Sequence, residues 1–341
     1  MKTIEVVSGQ SGHNLFLNSN FDIAQRGTSF PAIENYAYSL DRWIHAKAGD
    51  VSLNITQDTD VPTGLDSAIN SIKLEVATAD TSIGATDFCV IGQKIEGYNA
   101  KYMYGKTYTL SFWVKTSVIG TYCVFFKSAT GYRQYAGEYT TTTTDWEPHY
   151  ITLTHDTTGT WNTTNGVGIQ VYWVLSCGSS YTIPGANAWY DGNYIATSNQ
   201  INATATIGNT FKLSQVMLHE GKAPLSSYIP AGRNITDELA MCQRYYQILD
   251  QGIIGGSYST TQALMGGIFP TTMRASAVIT QTGVITVHDP AYATYTQSAP
   301  GFGTYYADNV GMTVLLINFS GLTNGRTLRI HGNSLIATSE L

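Results

Sequence analysis

Six consecutive residues, Trp189-Tyr190-Asp191-Gly192-Asn193-Tyr194, hold three aromatic rings, a carboxylate, an amide and a glycine. Tyr181 and Trp161 lie nearby in sequence, and Pro184-Gly185 precedes the run as a turn signal. Such a loop suits recognition of a sugar, because a flat ring stacks on the apolar face of a pyranose while amides and carboxylates take its hydroxyl groups. These seven residues, Trp161, Tyr181, Trp189, Tyr190, Asp191, Asn193 and Tyr194, are the candidate ligand-binding set. Packing is the competing use of the same rings: Trp189 as a plug at the end of a β-sandwich, or as a filler between subunits. The two readings differ in one respect, since a stacking ring is exposed in the free protein and a plug is buried. Trp43 and Trp113 read as core or sheet-face fillers.

Catalysis finds little to work with. Hydrolysis of a glycosidic bond needs two carboxyl groups facing each other about 5 to 9.5 Å apart, and most acidic residues here fall in turn-like segments, among them Asp50, Asp58, Asp60, Asp87 and Asp289. Asp145 and Glu147 flank Trp146, but Pro148 follows at once, which favours a solvated turn over a catalytic pair. The sequence contains no Gly-x-Ser-x-Gly, His-Glu-x-x-His or Walker pattern. Cys89, Cys123, Cys177 and Cys242 are dispersed, without a Cys-x-x-Cys pair, and read as buried free thiols. A non-enzymatic protein is expected.

Charge narrows the partners. Only 12% of the 341 residues are charged and the net charge is -6, which argues against nucleic acid, since binding needs a basic stripe to displace counterions from phosphate. The missing charge is replaced by Thr, Ser, Asn, 33 Gly and 23 Tyr, a surface of neutral hydrogen-bonding groups and amphipathic rings of the kind antibody paratopes use. No apolar run reaches 18 residues, which argues against membrane insertion. The opening Met1-Lys2-Thr3-Ile4-Glu5 has no signal-peptide character, so synthesis in a cytosol is expected.

The elements that must position these residues are strands. From Asn14 to about Arg233, short alternating runs are separated by Gly, Asn, Asp and Pro clusters, the pattern of a β-sandwich. The clearest strands are Ser71 to Ala77, Thr107 to Lys115, Thr121 to Lys127, His149 to Thr154, Gly168 to Leu175 and Thr210 to Leu218. In the second of these, Tyr108, Leu110, Phe112 and Val114 face one way and Thr109, Ser111, Trp113 and Lys115 the other. Between Asn234 and Leu249 the spacing turns helical: Ile235, Leu239, Cys242, Tyr246 and Leu249 form one stripe, with Asn234 as N-cap and Gly252 as stop. Strand and turn texture then resumes, with a Gly/Tyr-rich loop from Pro300 to Tyr306, and makes a second, smaller sandwich.

Three segments resemble bacteriophage tail-fibre and receptor-binding proteins. Asn14-Leu15-Phe16-Leu17-Asn18-Ser19-Asn20-Phe21-Asp22-Ile23-Ala24-Gln25-Arg26-Gly27-Thr28-Ser29-Phe30 with Asp41-Arg42-Trp43 resembles that family's "NLLxNxxFDxxQRGTSF…DRW" opening. Gln93-Lys94-Ile95-Glu96-Gly97, followed by Gly105 to Lys115, is similar to strands of carbohydrate-binding modules with the galactose-binding-like jelly roll. Glu238-Leu239-Ala240-Met241-Cys242-Gln243-Arg244-Tyr245-Tyr246 resembles the "ELxxCQRYY" helix that follows the jelly roll. Order and spacing, over residues 14 to 250, give the likeness its weight. Related sandwich modules carry a structural calcium near the first strand, where Asn20 and Asp22 lie here. A hard cation takes six or more oxygens, and one aspartate in an acid-poor sequence supplies few, so no cofactor is expected.

The expected architecture is all-β: an N-terminal docking segment 1–13, a galactose-binding-like jelly roll over 14–233, a connecting helix over 234–251, and a C-terminal β-sandwich over 252–341. The resemblance implies a virion protein, assembled in the host cytoplasm and carried on the tail or another exposed surface of the particle. Its partners would be host surface polysaccharide and, through the N-terminus, other virion proteins. A homotrimer is expected, with the Ile235 to Leu249 stripe as a seam. The alternative is a structural virion component, such as a capsid fibre, decoration protein or baseplate adaptor, whose rings pack between subunits.

Overall fold

The computed structural model describes residues 13–65, 67–129, 133–222, 228–229, 234–249, 252–291, 293–332 and 335–341. All but His13 of the expected docking segment lies outside these residues, as do 230–233 and 250–251 at the ends of the expected domains. The chain divides into two compact units, Met1–Glu238 with Leu341, and Leu239–Glu340. Among the described residues no helix is long and apolar enough to cross a membrane.

The first unit is built from twelve strands: β1 (Ser29–Phe30), β2 (Ile44–Ala48), β3 (Ser52–Asp58), β4 (Ser71–Thr78), β5 (Phe88–Glu96), β6 (Thr107–Thr116), β7 (Gly120–Ser128), β8 (Arg133–Thr141), β9 (Glu147–Thr154), β10 (Val167–Cys177), β11 (Trp189–Asp191) and β12 (Thr210–Glu220). A short helix, α1 (Gly97–Ala100), follows β5. The strands form two six-stranded sheets, in the orders β1-β3-β4-β12-β6-β9 and β11-β8-β7-β10-β5-β2. Most neighbours are distant in sequence, β12 lying between β4 and β6 and β10 between β7 and β5, which gives the crossed-over connectivity of a jelly roll. The sheets face each other across one core. Tyr108, Leu110, Phe112 and Val114 of β6 are all buried in it, as their alternation requires, together with Tyr122, Val124 and Phe126 of β7 and Val171, Trp173 and Leu175 of β10.

Before β2, the stretches 14–23 and 39–43 are irregular yet largely buried, and their polar side chains replace the hydrogen bonds that a strand would have supplied. The Asn14 carboxamide oxygen accepts from Phe16 N (3.1 Å) and Leu218 N (3.0 Å). Asn18, in the left-handed region at φ 49°, accepts from Ile23 N at 2.8 Å and donates to Ile23 O (2.8 Å) and Asp41 O (3.0 Å). Asp41 in turn accepts from the backbone N and the side-chain amide of Gln25, with Arg26 at 3.8 Å. Phe16 and Phe21 pack on Trp43, which meets Trp173 at 5.8 Å and donates its indole N–H to Asn18 O at 2.9 Å.

The second unit contains β13 (Tyr246–Leu249), β14 (Ile254–Ser257), β15 (Ala263–Ile268), β16 (Val278–Gln281), β17 (Thr286–His288), β18 (Thr294–Thr296), β19 (Phe302–Ala307), β20 (Gly311–Leu316), β21 (Thr327–His331) and β22 (Leu335–Thr338). They form a three-stranded sheet, β13-β22-β16, and a seven-stranded sheet, β18-β17-β21-β14-β15-β20-β19, around a core that includes Ile279, Met265, Val314, Leu328 and Leu335. The whole is the all-β pair of sandwiches expected.

Two local expectations are corrected. The helix α2 (Ile235–Gln243) is capped by Asn234, whose carboxamide oxygen accepts from Thr236 N and Asp237 N, but it ends at Gln243. Tyr246 and Leu249 lie on β13, paired with Thr338 and Leu335, because Tyr-Gln-Ile-Leu suits a strand and β22 offers an edge. Ile235 is exposed while Cys242 is buried, so no continuous helical seam exists. The Gly/Tyr-rich segment expected as a loop is partly β19, held in register by β20.

Asp41→Asn tests the buried network: an amide N–H₂ would then point at a Gln25 donor, leaving two buried N–H groups opposed. Denaturant unfolding should show a loss of about 3 kcal/mol in stability of the first unit.

Candidate functional site

The second sheet of the first unit is apolar on both faces. Val171, Trp173 and Leu175 of β10 point into the main core, while Tyr172 and Val174 between them join Ile44, Ala46, Val90, Cys123 and Phe125 in a separate cluster. A sheet face of this kind must be covered. The segment from Gly178 to Gln200, largely irregular outside β11, supplies part of the cover through Ile195 and Ala196. It is tied down by the Thr182–Ala196 bridge, by Asn187 N donating to Ala136 O, and by Gln200, whose carboxamide reaches Cys123 N and Val174 O. Gly178 passes so near Gly84 that a Cβ there would sit 2.1 Å from a backbone oxygen.

Where this cover ends, a groove of about 190 Å³ remains, lined by Tyr36, Phe88, Phe125, Lys127, Gln170, Tyr172, Tyr181 and Asn193. Phe125 and Tyr172 stack at 5.1 Å with planes 11° apart. Tyr181 stands edge-on to Phe88 at 5.6 Å, and Tyr36 is 63% exposed. Gly92 of β5 lies opposite Tyr172, and a Cβ at Gly92 would fall 2.6 Å from Tyr172 Cγ, so the bare backbone is what lets the ring lie across the sheet. The Lys127 ammonium donates to Asn193 Oδ1 at 2.8 Å, and burial holds its pKa below the usual lysine value. Burial raises the pKa of the Tyr172 phenol, so it stays neutral. The groove thus offers rings for stacking and an amine, two amides and phenols for hydroxyl groups, and no carboxyl group is among its lining residues.

The seven residues singled out in the sequence divide between two places. Tyr181 and Asn193 line the groove. Trp189 and Tyr190 are successive residues of β11, opposite Tyr135 and Gln134 of β8, and therefore point to opposite faces. Trp189 is half-buried against the main core, with its indole N–H donated to Thr154 O at 2.8 Å and its ring meeting Trp161 edge-on at 5.6 Å. Asp191 pairs with Arg133 at 3.2 Å, Tyr190 approaches Gly185, and the Tyr194 ring covers Gly192. The groove residues Phe125 and Tyr172 carry a sequence signal of their own: Cys123-Val-Phe-Phe126 and Val171-Tyr-Trp-Val-Leu175 are unbroken apolar runs, the mark of strands covered on both sides.

The other candidate chemistry is placed as follows. Glu147 accepts from Thr142 N at 2.7 Å and Thr142 Oγ1 at 3.0 Å, closing a turn. The Asp22 carboxylate accepts from the Asn20 and Asn70 side-chain amides at 3.2 and 2.8 Å, and Asn20 Oδ1 is taken by Gln215. Amide hydrogens converge where a calcium ion would need oxygens, so these residues do not fit one. Among the described residues no group of three or more His, Cys, Asp or Glu is placed to hold a metal. All four cysteines are free.

No protein family model matches the chain, and no curated protein matches it. Similar solved structures include one described as "CBM4 structure and function", 19% identical with a TM-score of 0.33 over 60% of this chain and 98% of that one. Another is TmCBM61 in complex with β-1,4-galactotriose, 11% identical with a TM-score of 0.30 over 61% and 99%. A third is the family 11 carbohydrate-binding module of Lic26A-Cel5E of Clostridium thermocellum, 11% identical with a TM-score of 0.31 over 56% and 95%. At that distance none of them bears on the ligand or on residue roles.

Gly92→Ala should force the Tyr172 ring off the sheet and press a methyl against Val171 O. A cost of about 1–3 kcal/mol in unfolding free energy is expected from such overpacking, together with a changed near-ultraviolet tyrosine dichroism.

Proposed function

We propose that the first unit binds a polysaccharide chain in the groove without chemistry, and that the protein is a phage virion adhesin, a tail fibre or receptor-binding protein, that attaches the particle to host-surface glycans. The observation that carries the binding reading is the ring-lined groove on the outer face of the sheet, where exposed Tyr36 and half-buried Phe88 and Tyr181 stand beside the buried pair Phe125 and Tyr172, with amides and an amine at the margin. A glycan seated there meets no general acid among the lining residues, which supports a non-catalytic role. The phage assignment is supported by the order and spacing of the three sequence segments. Within it, residues 1–13 would join the protein to the rest of the particle. The structural-component alternative uses the same rings as packing surface and leaves no ligand to find.

A glycan array made with polysaccharides from bacterial surfaces checks the reading. Tyr36→Ala should leave unfolding free energy within about 0.5 kcal/mol, as at an exposed position, Tyr181→Ala should cost more because its ring packs partly on the apolar cluster, and each should weaken the best array ligand about five- to thirtyfold. A stable protein that binds no glycan would favour the structural component, and release of reducing ends would favour an enzyme.

A homotrimer belongs to the same proposal, with a different seam from the helical stripe. In the second unit the seven-stranded sheet exposes Ile254, Leu264, Ile268 (81%) and Tyr306 (69%). Light scattering at micromolar concentration should give three times the 37.1 kDa chain mass, and Ile268→Asp should reduce it to one.

A further inference from the structure

The first unit has a second cavity, of about 340 Å³, that shares no lining residue with the groove. Lys101 and Tyr104 reach it from the turn after α1, His155 from just past β9, and Trp161, Asn162 and Thr163 from the loop leading into β10. Its volume falls in the range of small-molecule sites, roughly 300–1,000 Å³.

The walls are fixed before any ligand arrives. Trp161 donates its indole N–H to Thr158 O at 2.8 Å, rests on Trp189, and meets the His155 ring at 4.1 Å. The Tyr104 hydroxyl donates to Thr157 O. Asn162 Oδ1 accepts from Thr164 N at 2.8 Å and folds the loop back on α1, where a Cβ at Gly97 would lie 2.5 Å from Asn162 O. Rings held in this way lose little freedom when a ligand stacks on them.

The polar inventory is lopsided. His155 Nδ1 lies 2.8 Å from Asp156 O, and a carbonyl can only accept, so the proton sits on Nδ1 and Nε2 is left as an acceptor in the neutral ring. Burial keeps the ring neutral by lowering its pKa. Lys101 is exposed, with its ammonium held 5.1 Å from the Tyr102 ring centre and 5.5 Å from that of Tyr98. No carboxylate lines the cavity, and the neighbouring Asp156 is already paired with Arg133. Lys101 is the one Lys, Arg, Asp or Glu among the lining residues, in a chain of net charge -6.

We propose that the cavity is a second carbohydrate subsite, selective for a sugar unit that bears a carboxylate: Trp161 stacks on the ring, Lys101 pairs with the carboxylate, and His155 Nε2 accepts a hydroxyl proton. The proposal rests on the reading of the first unit as glycan-binding, and it needs no ligand in the groove.

Calorimetric titration of the full chain with trigalacturonate and with its carboxyl-reduced galactotriose counterpart tests it, carried out on a Tyr181→Ala background so that the groove is impaired. Trigalacturonate should bind about five- to tenfold more tightly than the reduced sugar. Lys101→Gln should erase that preference, and 0.5 M NaCl should weaken it. Lys101 is exposed, so this variant should melt like its parent; Trp161→Ala should abolish binding of both sugars, and its melting curve is recorded alongside. Equal binding of the two sugars, a preference that survives Lys101→Gln, or no binding of trigalacturonate at millimolar concentration overturns the proposal. If the groove still binds neutral glycans in that last case, the cavity reading fails alone. Trigalacturonate binding with no groove ligand means the groove reading fails alone.

Discussion

A sheet strand shows alternate residues to alternate faces, so a run such as Val171-Tyr172-Trp173-Val174-Leu175 commits the protein to finding two apolar environments for one strand. The first is the space between the sheets, where Trp173 meets Trp43, Phe16 and Phe112. The second lies on the outside, and its existence dictates much else: the long excursion from Gly178 to Gln200, the side-chain amides that pin it, and the glycine at position 92 that makes room for Tyr172. Water would otherwise lie against Val90, Phe125, Tyr172 and Val174. The cover is incomplete, and the incompleteness is what produces a groove floored with rings. A groove formed in this way is cheap to vary, since its floor belongs to the sheet and its rim to an irregular segment.

Within the first unit the opening motif is tied by hydrogen bonds to the strand motif and to Glu238, whose carboxylate accepts from Asn18 N. Leu17 N is accepted by Gln93 Oε1 at 2.9 Å and Leu17 O by Gln93 Nε2 at 2.8 Å, bringing it to the strand motif. Arg42 adds a bond to Lys94 O at 2.7 Å. These residues therefore hold a buried irregular segment in place and take no part in the groove. A buried polar network is costly when its members are taken apart, which explains why so many motif residues cluster in one place. A likeness carried by such residues speaks to how the unit is assembled, whereas the proposed glycan site draws on Tyr36, Tyr181 and the loop around Asn193.

Strand periodicity was the legible part of the fold. β4, β6, β7, β9, β10 and β12 lie where alternation places them, because their inward sets, such as Tyr108, Leu110, Phe112 and Val114, are predominantly apolar. The helix was legible at its start, where Asn234 is a side-chain cap, and illegible at its end, where pairing with β22 overrides a spacing that also fits a helix. The site was half legible. Ring density drew attention to Trp189 to Tyr194, but density says nothing about direction, and alternation along β11 sends Trp189 toward the core and Tyr190 away from it. Tyr36 joins the groove from more than 130 residues upstream, a juxtaposition that only the tertiary fold creates.

The groove on the outer sheet face, between Tyr36, Phe88 and Tyr181, is the proposed seat of the glycan. Hydroxyl-radical footprinting with and without the best array polysaccharide reads it side chain by side chain. Protection concentrated at Tyr36, Phe88 and Tyr181, with the rings on the exposed sheet face of the second unit unaffected, is the result this account predicts. Protection absent from those three residues, while the polysaccharide is demonstrably bound, would contradict it.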